Sequence, residues 1–78
     1  MSRKQFFTEQ NLAVVAMRFR KQANKTRAQA AREMGVAQTS IFNAEESPEQ
    51  SLLKLRLRMI EAYSPYRVIG PVFLLKKK

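Results

Sequence analysis

With 78 residues, the chain has room for one domain and a thin core, so support from a second subunit is expected to help it. Fifteen Lys and Arg against six acids, with no His, give a formal charge of +9 at pH 7 and a surface drawn to polyanions. Without Cys or His there are no disulfides, thiolate metal sites or imidazole ligands; with unpaired carboxylates and no phosphate-cradling Gly loop, the chain reads as no enzyme and needs no metal, cofactor or small-molecule substrate.

Residues 1–5 read as a loose basic arm, whose Arg3 and Lys4 are candidates for contact with a phosphate backbone. A first helix is predicted at about 8–23, with Thr8 as N-cap and Glu9 complementing the dipole. Phe7 is expected to pack on Leu12 as a hydrophobic staple, and Leu12, Val15, Ala16, Phe19 and Ala23 form the buried stripe. Asn24 and Lys25 then lead into Thr26.

Thr26 and Gln29 make a Thr-x-x-Gln capping box that opens a second helix, about 27–34. Gly35 closes it, because a residue without Cβ takes a positive φ at no steric cost and redirects the chain. Val36 follows as an apolar plug, and the small Ala31 lets a third helix, about 38–46, cross closely. Ile41 and Ala44 give that helix its inward side. The other positions, Gln38, Thr39, Ser40, Phe42 and Asn43, are mostly short hydrogen-bonding side chains with no apolar stripe to explain them. Amides pair bidentately with adenine edges, and Ser or Thr reach bases or phosphates, so these five are the candidate base readers. A plain solvated face is the alternative, but the Ala31, Gly35, Val36, Ile41 framework favours a DNA-reading helix-turn-helix.

Ser47, Pro48 and Gln50 read as a Ser-x-x-Gln box with Pro at N1, opening a fourth helix at about 49–63. Leu53, Leu55, Leu57 and Met59 alternate with Lys54, Arg56 and Arg58 as a strand would. The good helix formers and the capped start favour helix, with the three cations on a solvated face. Pro65 and Pro71 stop any further helix. The β-branched and aromatic residues of about 66–75 predict a C-terminal β extension, either strands or one bent strand, with a bulged strand favoured over a tight hairpin. The predicted fold is therefore mainly α, a four-helix helix-turn-helix bundle over 1–64 with a strand and tail over 65–78.

On the residues from Thr26 to Ser47, the chain resembles the phage repressor and Cro-type (lambda repressor-like) helix-turn-helix family, with the likeness running over about 18–62. That resemblance implies a DNA phosphate contact at the start of the second helix, where Thr26 and Arg27 stand. It also places the loop bearing Ser47 and Gln50 near the DNA backbone. It implies a structural salt bridge between Arg20 and Glu45. The family usually has Ser or Thr capping the recognition helix; Ala37 here cannot accept the bond, a loss of about 1 kcal/mol, and Thr39 is a later candidate cap. In the Cro-like branch a C-terminal strand joins two subunits, which assigns Val68, Val72, Phe73, Leu74 and Leu75 to a dimer contact; a strand folded back on its own helices is the alternative.

The expected function is a sequence-specific double-stranded-DNA-binding transcriptional regulator, a cytoplasmic homodimeric repressor of phage or plasmid type acting on a palindromic operator. An antitoxin-type module that neutralises a toxin is the alternative. No signal peptide and no bilayer-spanning apolar run is found, so no membrane partner is expected.

Overall fold

In the computed structural model, which describes residues 6–69 and 73–78, four helices pack around one core and a small sheet covers one side. In chain order these are β1 (Phe6–Phe7), α1 (Glu9–Gln22), α2 (Arg27–Met34), α3 (Gln38–Glu46), α4 (Leu53–Tyr63), β2 (Tyr66–Ile69) and β3 (Phe73–Lys77). None of these helices is long and apolar enough to cross a membrane.

The first two helices start on reciprocal caps. The Thr8 hydroxyl accepts from Asn11 N–H while the Asn11 side chain accepts from Thr8 N–H, and Thr26 and Gln29 repeat the arrangement on α2. Each capping box satisfies two amide donors that the helix itself leaves open. Both helices also end alike. Asn24 at φ 59° and Gly35 at φ 71° take the left-handed conformation. The following amides, of Lys25 and Val36, then donate back to Arg20 O at 3.1 Å and Ala31 O at 3.0 Å. These are Schellman closures, with Asn standing in for Gly at the end of α1. α3 starts directly at Gln38 on Ala37, which supplies no side-chain cap, and Thr39 lies inside the helix.

Leu12, Ala16, Ala30, Ile41, Ala44, Met59 and Ile60 are fully buried and hold the four helices together. Ala30, Ala31 and Ala44 are small enough to let α2 and α3 cross closely, so the turn between them is set by packing as well as by Gly35.

Two expectations are corrected. α4 begins at Leu53, about one turn later than expected, and its N-cap Leu52 makes no side-chain bond. Ser47 instead closes α3, and Gln50 N–H donates to Ser47 O at 2.9 Å. That bond makes 47–50 a β-turn with Pro48 at its second position, where a φ near −65° suits a turn as well as a helix start. The C-terminal segment, expected as strands or one bent strand, is two strands that pair with each other rather than the single bulged strand favoured over a hairpin. β2 and β3 pair antiparallel with Val68 opposite Leu75, and β3 also pairs antiparallel with β1, giving the sheet order β1-β3-β2. Gly70, Pro71 and Val72 lie outside the described residues.

The strand expected to await a symmetric partner thus finds its backbone partners on both sides within its own chain. Val68 and Leu75, assigned to a dimer contact, are partly buried against the chain's own core, and the Tyr66 ring lies 5.9 Å from that of Phe19 on α1. For Phe73 and Leu74 the backbone register alone is described, with Phe73 opposite Phe7 and Leu74 opposite Phe6 and Ile69.

Candidate nucleic-acid interface

The orientation of α3 is governed by a carboxylate that the sequence places near its end. Glu45 is buried, and two guanidinium groups converge on it. Arg20 of α1 donates from Nε to Oε2 at 2.5 Å and from Nη2 to Oε1 at 2.9 Å. Arg27 of α2 donates from Nε to Oε1 at 2.9 Å, and its Nη2 reaches Glu46 Oε2 at 2.6 Å. Arg20 also donates to Lys25 O at 2.7 Å, bridging the α1–α2 turn. Bidentate guanidinium–carboxylate geometry fixes direction as well as distance, so Glu45 ties three helices at one point.

Arg27 stands at the first position of α2, where the helix dipole is positive and a cation is disfavoured. The Glu45 hydrogen bond, and after it Glu46, raise its guanidinium above the ordinary value against the opposing effect of burial. The side chain expected to meet a phosphate is therefore already held by two carboxylates. It also lies over an aromatic ring, with Arg27 Cζ 4.9 Å from the centroid of Phe42. That distance is within cation–π range.

With Ile41, Ala44 and Glu45 turned inward, α3 presents Gln38, Thr39 and Phe42 outward. These three and Arg27 line an open hollow of about 380 Å³. The structure divides the five candidate base readers. Gln38, Thr39 and Phe42 share this hollow. Asn43 is half-buried, and Ser40 faces a separate groove with Val36, Leu52, Leu53 and Leu55.

The other candidate phosphate contacts are scattered. Thr26 is exposed, but its hydroxyl is engaged in the α2 cap. Ser47 is half-buried and Gln50 exposed, and the backbone carbonyls of both accept from Arg56, at 2.8 Å in each case. Arg3 and Lys4 lie outside the described residues.

Arg56 is the residue that sequence reasoning misplaced. Expected on a solvated face, it is fully buried; its Nε donates to Ala44 O at 2.9 Å, so one guanidinium closes the end of α3 and the loop after it. Burial pulls its guanidinium below the ordinary value, and the charges of Glu9 and Glu49 act against that shift. A signal was present: counting back four, back three, forward three and forward four from Arg56 reaches Leu52, Leu53, Met59 and Ile60, which puts it in the middle of the apolar arc of α4. Arg58, by contrast, is exposed and donates to Met34 O at 2.6 Å, at the end of α2.

Among the described residues no group of three or more His, Cys, Asp or Glu is placed to hold a metal ion, and no buried side-chain polar atom lacks a hydrogen-bond partner. Comparison with family models, with curated proteins and with solved structures finds no match for the chain.

Proposed function

We propose that the chain is a sequence-specific regulator of transcription that binds double-stranded DNA through α3, in the manner of the phage repressor and Cro-type proteins it resembles, and acts as a dimeric repressor on a palindromic operator. The observation that carries this reading is the division of α3: one side is clamped by Ile41, Ala44 and the Glu45 ion pairs, while Gln38, Thr39 and Phe42 stand outward. A helix held rigidly from behind, with hydrogen-bonding side chains in front, has the form of a major-groove reader. The charge of +9 supplies the non-specific attraction that a phosphate backbone requires. Two copies follow from the geometry of reading, because one short helix covers only a half-site. Since β3 is flanked by β1 and β2 within its own chain, a joint between copies does not use a free edge of β3.

Selection of bound duplexes from random DNA tests the proposal, with sedimentation of the free protein as its second arm. A palindromic consensus is expected, with binding that weakens steeply as salt is raised. Gln38→Ala and Asn43→Ala should each reduce discrimination between that consensus and random duplex, by about 1–3 kcal/mol where a bidentate contact is lost. Binding with no preference among sequences would refute the specific reading, and a monomer on a non-palindromic site would refute the repressor arrangement.

A further inference from the structure

Phe42 and Val14 are the exposed large hydrophobic residues among those described, and Phe42, 46% exposed, stands on the outward side of α3. An isolated exposed apolar side chain needs no explanation in itself. Phe42 differs because its surroundings hold it in place. Arg27 covers the ring at 4.9 Å, and the same guanidinium is tied to Glu45 and Glu46, which follow Phe42 by three and four positions on α3. The exposed Glu46 lies one turn beyond the ring and the buried Glu45 borders it from the inward side, so both anchors hold the cation beside the ring. The opposite charges within this group are satisfied, so Arg27 serves the ring more directly than it serves a distant phosphate. Beside the ring, Gln38 and Thr39 complete a hollow with hydrogen-bonding groups at its rim and an apolar surface within it.

We infer that this arrangement reads the C5-methyl group of thymine in the major groove, with Phe42 as the contacting residue and Arg27 as its positioning residue. The inference rests on the DNA-binding reading of α3. The major-groove edge of an A·T pair offers an adenine N7 acceptor and N6 donor for an amide, and a thymine methyl for an apolar group. Gln38 and Phe42 lie one helical turn apart and supply those two complements side by side. The thymine methyl is the one apolar group on a major-groove base edge, so it is the natural partner of an apolar side chain held among polar ones.

The test begins with a duplex selected from a random pool, remade with deoxyuridine in place of each thymine, singly and together. Deoxyuridine keeps the pairing edge and removes only the methyl group. Removing one methyl from a buried contact should weaken binding by the parent protein about fourfold per contacted thymine, and about fifteenfold when both half-sites are altered. The ratio of thymine to deoxyuridine affinity is the quantity read. It should fall to about one in Phe42→Ala, be kept in large part by Phe42→Leu, and shrink in Arg27→Lys, which keeps the charge and loses the planar stack. All three changes lie outside the core, and circular dichroism would verify the fold of each variant. A parent ratio of one on a selected sequence would overturn the inference while leaving DNA reading intact, as would a ratio that survives in Phe42→Ala. Failure to enrich any duplex would instead remove the DNA-binding reading, and the inference with it.

Discussion

Replacing Arg56 with Met keeps most of the length of the side chain and removes its donations to the carbonyls of Ala44, Ser47 and Gln50. Each carbonyl left without its donor costs about 1 kcal/mol, taking the low end because the Ser47 and Gln50 sites are only partly buried and water can reach them. Relief from burying a cation offsets a portion of this, since an apolar replacement avoids the desolvation that the guanidinium suffers. The expected net loss is about 2–3 kcal/mol, a large fraction of the stability of so small a domain. Thermal unfolding followed by circular dichroism should show a fall in Tm of about 8–24 °C. Arg58→Met is the comparison, because it removes a cation of the same type from an exposed site with one bond to Met34 O. That change should cost about 1 kcal/mol at most. If Arg56→Met stays within about 0.5 kcal/mol of the parent, or if the two variants are equally destabilised, the guanidinium does not close the end of α3.

Glu45→Gln should destabilise the fold by about 3 kcal/mol, since it leaves the buried Arg20 without a counter-charge, and urea unfolding would measure it. On the proposed DNA-reading role of α3, its effect on discrimination should exceed that of Glu46→Gln, which removes a half-exposed partner of Arg27 alone. Gly35→Ala meets no atom within 4 Å but must keep φ at +71°, so its cost is backbone strain of about 1 kcal/mol, read from the same denaturation curve. The Tyr63 hydroxyl donates to Glu33 Oε1 at 2.6 Å, and Lys25 first, then Tyr63, hold the Glu33 carboxyl below its usual range. Its folded pKa is depressed, so that small contribution is present above the unfolded value of 4.5 and fades as pH falls below it. Burial first, and then Glu33, push the Tyr63 phenol up, so its contribution is complete below pH 10 and lost as pH rises beyond that. A pH series of Tm should show both limbs, and Tyr63→Phe should flatten the alkaline one; an unchanged alkaline limb would separate Tyr63 from it.

Local chemistry was legible in the sequence and remote pairing was not. Thr8, Thr26, Gln29 and Gly35 act within four residues of themselves, so their caps and the bounds of α1 and α2 follow from residue type. The start of α4 did not follow, because Ser47-Pro48-Glu49-Gln50 suits a β-turn as well as a helix cap, and Arg56 from within α4 satisfies the carbonyls of that turn. β1 has two residues, too few for any periodicity, and its partners, Phe73 and Leu74, stand far along the sequence from it. At the candidate interface, the outward position of Gln38 and Thr39 could be read from the inward spacing of Ile41 and Ala44. The capture of Arg27 by Glu46 and Phe42 could not, since a surface cation and a surface carboxylate carry no address for each other.

The sheet order has a consequence for the chain as it is made. Phe6 and Phe7 leave the site of synthesis early, yet the strand that receives them begins at Phe73. At about 5–20 residues per second, several seconds pass before β3 exists. During that interval the caps of α1 and α2 and the left-handed turn at Gly35 need nothing from downstream to form, whereas the end of α3 waits for Arg56 of α4 and β1 has no backbone partner. Then β3 arrives between β2, just made, and β1, made first, and joins both. The sheet is thus a closing step that follows the helices: a chain interrupted within α4 would carry the local caps of α1 and α2 with β1 still unpaired.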